Sequence, residues 1–328
     1  MNAWAGIATL TVAIVGALSM APAAAQNARD YGKRPIRMLV PVPPGGSTDI
    51  VARIVIGPLT EMTGYTIVID NRAGAQGAIA TDIVARAAPD GYTLLFAYAT
   101  HTTLPFINKV PYDPFRDFAP ITQVSVNPLL VVVHPTVPVT SVKELIALAK
   151  SKPKSLNLGI ATAGSAGHIA AELFKLRSGT GDGIVSVIYR GGGPSMVALL
   201  SGEVQMMFAS VPTSTPYLKS GRLKTLATVG PKRLPYLPEL PSLGEYGFTI
   251  EAAPWQALLG PANMPREIIT RLYGEMSRVL KRPEVIERLA AAGADVVSST
   301  PEEFDARLKR ELNEYSKLIP TFGLGRQL

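Results

Sequence analysis

Strand-like and helix-like segments alternate twice along this chain, and this alternation restricts the fold more than any other feature. In the first series the apolar run IRMLVPV precedes the helix-like segment STDIVARIVIGPLTEMTG, and the apolar run YTIVIDN follows. A second series begins with LNLGIAT and GSAGHIAAELFKLRS. Continuous apolar strands separated by helices are typical of parallel sheets covered on both faces. The sequence therefore predicts an α/β fold.

Two further segments indicate how the two series are joined. NPLLVVVHPTVP and WQALLGPANMP each contain an apolar strand and a proline-containing turn, and each is followed by a helix-like segment. We interpret them as hinge strands that carry the chain into a second lobe and back. The predicted first lobe comprises residues 26–125 and 252–328, and the predicted second lobe comprises residues 126–251.

The N-terminus has the pattern of an export signal. Residues 3–20 are apolar and uncharged, and APAAAQN follows with small residues at Ala23 and Ala25. This pattern predicts a signal peptide over residues 1–25, cleaved after Ala25, and a periplasmic mature protein. A retained membrane anchor is the alternative, although the apolar run is barely long enough to span a bilayer.

Composition excludes several kinds of chemistry. The chain has no cysteine, which excludes disulfides, thiolate catalysis and thiolate metal sites. Its three histidines are widely spaced and form no ligand pair, so we expect no metal site. The glycines of AGAQG match neither a dinucleotide fingerprint nor a phosphate-binding loop, so we expect no cofactor. The net charge of +7 favours anionic ligands, whereas the scattered Lys and Arg residues do not predict nucleic-acid binding.

Two glycine-containing junctions join an apolar strand to a helix, PPGGSTD and ATAGSAGH. Glycine permits a tight turn, and the free N–H groups of the first helical turn, together with the helix dipole, favour an anion. The alternative is that Ser47 and Ser165 only cap their helices. In open α/β sheets ligands bind beyond the carboxyl ends of strands, so one junction in each lobe would bring both turns to one cleft.

Three other residues are weaker candidates for ligand binding. Thr100 and His101 follow a strand in YATHT and can line the cleft, although His101 is equally explained as an ordinary loop residue. Arg190, in YRGGG, is a candidate cation for a second carboxylate, with a solvated strand-end arginine as the alternative.

A secreted serine hydrolase is the enzymatic alternative. Ala163–Gly167 approaches a nucleophile elbow around Ser165, between a strand and a helix. No histidine follows His168, so the expected order of catalytic residues is absent, and we predict no enzymatic activity.

From Pro35 to the C-terminus the chain resembles the Bug family, the solute-binding proteins of tripartite tricarboxylate transporters. VPVPPGGSTDIVAR, APDGYTLL, VPYDPFRDFAPIT, GSAGHIAAELF, SGEVQMMF and PEEFDARLKRE all occur in the order typical of the family. The resemblance implies a two-lobe fold like type II periplasmic binding proteins, with a hinge and an interlobe cleft. It also implies a protein that binds a small carboxylate for the membrane subunits of such a transporter. From the two hinge strands and the alternating pattern in each half, we expect a monomer. A ligand sensor that docks on a membrane signalling partner remains an alternative.

The resemblance further implies that main-chain N–H groups and ordered water at the two junctions hold one carboxylate. The implied ligand-binding residues are Gly46, Ser47, Thr48, Asp49, Gly164, Ser165, Ala166 and His168. Ile188 departs from the proline typical of the family before Tyr189, and the sequence does not name the carboxylate.

Overall fold

The computed structural model describes residues 31–189, 192–248, 250 and 252–322. The predicted signal peptide and Arg190 lie outside these residues. Strands and helices alternate as predicted, and they form two α/β lobes, each built on its own sheet. Within the described residues, no helix combines the length and the apolar character that crossing a membrane requires.

The described strands, in chain order, are β1 (Ile36–Val40), β2 (Ile67–Asn71), β3 (Thr93–Tyr98), β4 (Phe118–Val126), β5 (Leu129–Val133), β6 (Leu156–Ile160), β7 (Ile184–Ile188), β8 (Met206–Ser210), β9 (Lys224–Thr228), β10 (Trp255–Pro261) and β11 (Asp295–Val296). The described helices are α1 (Ser47–Thr63), α2 (Ala78–Ala85), α3 (Thr100–Thr103), α4 (Val142–Ser151), α5 (Ala166–Ser178), α6 (Gly192–Ser201), α7 (Val211–Lys219), α8 (Arg266–Leu280), α9 (Pro283–Ala291) and α10 (Pro301–Leu318).

The first sheet has the order β11-β4-β10-β3-β1-β2, and the second has the order β7-β6-β8-β5-β9. In the first sheet β1 is parallel to β2 and β3, and β10 is antiparallel to both β3 and β4. In the second sheet β6 is parallel to β7 and β8, and β5 is antiparallel to β8 and β9. The carboxyl ends of β1–β4 therefore share one edge, and those of β6–β9 share one edge of the second sheet.

The chain passes between the lobes at these two edges. β4 ends at Val126 and β5 begins at Leu129, opposite Ser210 at the carboxyl end of β8. The two crossings lie side by side, because the Asn127 N–H donates to the Pro254 carbonyl at 2.8 Å. The two carboxyl edges consequently face each other across the crossings, which is the arrangement that an interlobe cleft requires.

Helix α10 connects the cores of the two lobes. It begins in a capping box of Thr300 and Glu303, and its first half packs Phe304 against Trp255 of the first lobe. Its end places Tyr315 in the hydrophobic core of the second lobe. Residues 252–328 were assigned to the first lobe, but the last turns of this helix contact the second lobe. The lobe boundaries stay a prediction.

Candidate ligand-binding cleft

The first junction is a tight turn held by the side chain of Asp49. Gly45 has φ +80°, a conformation that favours glycine, and its N–H donates to Asp49 Oδ2 at 2.8 Å. Arg53 Nε donates to the same oxygen at 2.9 Å, and Asn71 Nδ2 donates to Oδ1 at 2.9 Å. Asp49 is only 1% exposed. Burial acts to raise its pKa, but the hydrogen bonds from Arg53, Gly45 and Asn71 together hold that pKa below its usual value.

Both carboxylate oxygens of Asp49 thus bind protein groups, and the side chain supports the turn. Helix α1 has Gly46 as its N-cap, with no capping side chain, and Ser47 is its exposed first residue. Ser47 is therefore not the cap. The N–H groups of Ser47, Thr48 and Asp49 form no hydrogen bond with another described residue. This turn has free main-chain donors, as the sequence predicts.

The second junction repeats this local structure with different side chains. Gly164 has φ +71°, and its N–H donates to Nδ1 of His168 at 3.0 Å. Ser165 caps α5, since its Oγ accepts from the His168 N–H at 3.3 Å. The N–H groups of Ala166 and Gly167 form no hydrogen bond with another described residue.

The two turns match in three respects. A glycine with positive φ comes first, and the N-cap follows it: Gly46 with φ −67° and ψ 157°, Ser165 with φ −64° and ψ 157°. Four residues after the glycine, a buried side chain accepts a hydrogen bond from the glycine N–H; this acceptor is Asp49 in one lobe and His168 in the other. A glycine followed by a polar residue four positions later is a sequence signal for this role, which was not among the predictions.

His168 is positioned as an acceptor and is neutral at neutral pH. Burial lowers its pKa, Glu172 acts to raise it, and Lys175 acts to lower it. Because Nδ1 accepts from Gly164, the proton of the neutral ring lies on Nε2, which is 3.8 Å from Glu172 Oε1. The hydrogen bond between His168 and Ser165 Oγ comes from the His168 main chain, so the imidazole is not the partner of that hydroxyl.

The second junction contacts the first lobe. A Cβ added to Gly164 would overlap Ile107 Cδ1 and would lie 3.8 Å from Thr103 Oγ1. Ile107 packs with the core of the second lobe. The segment after β3 therefore meets the turn after β6, and this contact places the second junction at the cleft.

His101 lies in the interior of the first lobe. The residue is 4% exposed, and its ring packs edge-on against the ring of Phe118, with 4.8 Å between the ring centroids. Its Nε2 lies 2.8 Å from the Pro114 carbonyl oxygen. Burial lowers the pKa of His101 to about 4, so the ring is neutral and Nε2 donates. Packing against aromatic rings turns this side chain towards the lobe interior, and its role in the cleft stays a prediction. Thr100 is partly exposed at the cleft edge, with Oγ1 3.5 Å from the Gln76 carbonyl oxygen.

A strained loop after β2 lies at the same edge. Residues 74–77 all have positive φ, including the non-glycine residues Ala75 (+45°) and Gln76 (+55°). Tyr98 Oη donates to the Gln76 carbonyl at 2.8 Å and supports this loop. Backbone strain of this kind concentrates at functional sites, and this loop was not among the predicted site residues.

No cluster of acidic or histidine side chains suited to a metal ion occurs in the described ranges. The main-chain donors at both turns suit the cleft to hold an anion by hydrogen bonds.

Comparisons with known proteins identify the family of this chain. The model of the tripartite tricarboxylate transporter family receptor matches residues 51–324. BugT of Bordetella pertussis is 34% identical over 327 residues, which cover 98% of this chain and 99% of BugT.

Two solved structures are also similar. An R. palustris protein solved with adipate is 33% identical with a TM-score of 0.77, covering 90% of this chain and 100% of that one. MatC of Rhodopseudomonas palustris, solved with bound malate, is 28% identical with a TM-score of 0.71, covering 87% of this chain and 99% of MatC. The resemblance stated from the sequence is confirmed: this chain belongs to the tripartite tricarboxylate transporter receptor family.

Proposed function

We propose that this protein is a periplasmic receptor that captures a small organic carboxylate between its two lobes. The observation that carries the proposal is the repeated turn, one per lobe, with free N–H groups at edges that face each other. The adipate and malate in the structures of two relatives support the same ligand class.

The available donors are sufficient for useful affinity. Ser47 and Thr48 offer two N–H groups from the first lobe, and Ala166 and Gly167 offer two from the second. A hydrogen bond to a charged group contributes about 1.5–3 kcal/mol net, so four contribute roughly 6–12 kcal/mol. After the cost of association, micromolar binding follows.

The proposal includes no turnover. The imidazole of His168 accepts from Gly164, and a nucleophilic Ser165 would need that ring as its base. We further propose that the mature chain is a monomer, exported by cleavage after Ala25, that delivers its ligand to the membrane subunits of a tripartite tricarboxylate transporter. The lobe boundaries near residues 126 and 251 form part of the same proposal.

Titration calorimetry with adipate, malate and citrate, each beside its neutral amide, tests the ligand class. We expect at least one acid to bind with micromolar affinity and its amide to bind at least tenfold more weakly. Equal affinity for an acid and its amide would contradict the anion model. Hydrolysis of an ester panel that Ser165→Ala abolishes would contradict the receptor model.

A further inference from the structure

A second cavity lies at the hinge, beside the two crossings and next to β11 and β9, which are edge strands on the far side of each sheet from the strands that precede the two junctions. Its volume is about 410 Å³, and its lining includes Val126 and Pro128 of one crossing, Ala253 of the other, and Val229 after β9. The cleft turns follow β1 and β6, whereas the cavity lies beside β4, β11 and β9. It therefore receives residues from both lobes but shares none with the two junctions.

Most charged groups around this cavity have protein partners. Arg233 binds Glu245 through two hydrogen bonds of 2.8 Å, and Arg307 Nε donates to Glu311 at 2.8 Å. Glu314 pairs with Arg177 of the second lobe at 3.2 Å. These ion pairs stabilise the loop after β9 and helix α10.

Two cations and one carboxylate remain. Lys232, on the loop after β9, and Arg310, on α10, are exposed and form no ion pair with a described residue. Asp295 accepts from Tyr236 Oη at 3.3 Å, and burial raises its pKa. The cavity thus has an apolar floor and an excess of one unpaired positive charge at its rim.

We propose that this hinge cavity is a second binding site, which takes an organic anion with an apolar body. The anionic group lies between Lys232 and Arg310, and the apolar body contacts Val229 and Ala253 on the floor. A volume of about 410 Å³ is within the usual range of small-molecule sites, roughly 300–1,000 Å³. Because both cations are exposed, each contributes modestly, about two- to fivefold in affinity.

The aryl sulfonate 8-anilinonaphthalene-1-sulfonate tests this site by fluorescence titration of the full mature chain. We expect saturable binding that weakens about two- to fivefold in Arg310→Gln. Asp295→Asn removes the opposing charge and should strengthen binding. Ala253→Trp fills the floor and should abolish it. Arg310→Gln changes an exposed side chain, so its result does not depend on refolding of the core.

Two controls separate this site from the cleft and from nonspecific apolar binding. N-phenyl-1-naphthylamine, a related uncharged probe, should not respond to Arg310→Gln. The cleft variant Ser47→Pro should bind the sulfonate as the unmodified chain does, and Arg310→Gln should bind adipate as the unmodified chain does. Sulfonate binding that is indifferent to all three cavity variants, or that is lost in Ser47→Pro, would overturn the proposal. Failure of adipate binding alone would bear on the proposed receptor function and leave this site standing.

Discussion

Replacing Ser47 with proline removes one main-chain donor from the cleft while leaving helix α1 intact. Ser47 is the first residue of the helix, where the N–H has no intrahelical partner and proline is favoured. The residue before a proline must be extended, and Gly46 already has φ −67° and ψ 157°. Ser47 is also exposed, so the ring has space. We expect little change in the free energy of unfolding.

Loss of one hydrogen bond to a carboxylate corresponds to about 1.5–3 kcal/mol, or roughly a 10- to 150-fold weaker Kd. Ser47→Ala is the matched control, because it removes the hydroxyl and keeps the N–H, and we expect it to change Kd less than about threefold. Titration calorimetry with the tightest acid of the panel gives both values, and urea denaturation checks folding. Unchanged binding by Ser47→Pro in a folded protein would refute the assignment of this N–H as a ligand donor.

Three further predictions follow from the turns and the buried histidines. Gly164→Ala should lower the free energy of unfolding by about 1–3 kcal/mol more than Gly45→Ala does, because both residues have positive φ but only the Cβ added at Gly164 overlaps Ile107. Urea denaturation measures both values, and an equal loss of stability in the two variants would contradict the interlobe contact. Ligand affinity should weaken by roughly 2- to 10-fold as pH falls through the lowered pKa of His168, since the protonated ring cannot accept a hydrogen bond from the Gly164 N–H. Calorimetry should find a flatter dependence of affinity on pH in His168→Gln, and an unchanged dependence would show that protonation of His168 is not its cause. The pKa of His101 is about 4 in the folded state and near 6.5 in the unfolded state, so the free energy of unfolding should fall by about 3 kcal/mol from pH 6.5 to pH 4 and level off below pH 4. This pH-dependent loss of stability should be missing in His101→Asn, and an identical pH dependence in that variant would show that other groups cause the loss.

Local sequence was sufficient for the elements and for the positions of the two turns. Apolar runs and helical spacing mark β1, α1, β6 and α5 because burial follows the period of each element. Glycine followed by a small polar residue marks a strand-to-helix turn because few other residues adopt positive φ there. For these reasons PPGGSTD and ATAGSAGH were identified as ligand-binding candidates from the sequence.

The roles of the individual side chains required the tertiary structure. Asp49 was predicted to be part of a junction that binds the ligand through main-chain N–H groups, and only the structure shows that Asn71 from a neighbouring strand and Arg53 from the next helical turn occupy its side-chain oxygens. His101 turns into the first lobe because Phe118, from a separate strand, packs against it. These partners are distant in sequence or depend on side-chain direction, and periodicity carries information on neither.

The sequence by itself determined the α/β class, the two series of elements and the two glycine turns, because these depend on conformational preferences of neighbouring residues. Only the tertiary structure decided which sheet each strand joins, how α10 connects the two cores, and that a second cavity lies at the hinge. Those features depend on contacts between segments far apart in the chain, such as Asn127 with Pro254 and Trp255 with Phe304. Such contacts form because the assembled lobes bury apolar surface and pair buried polar groups, and no local pattern specifies the partner.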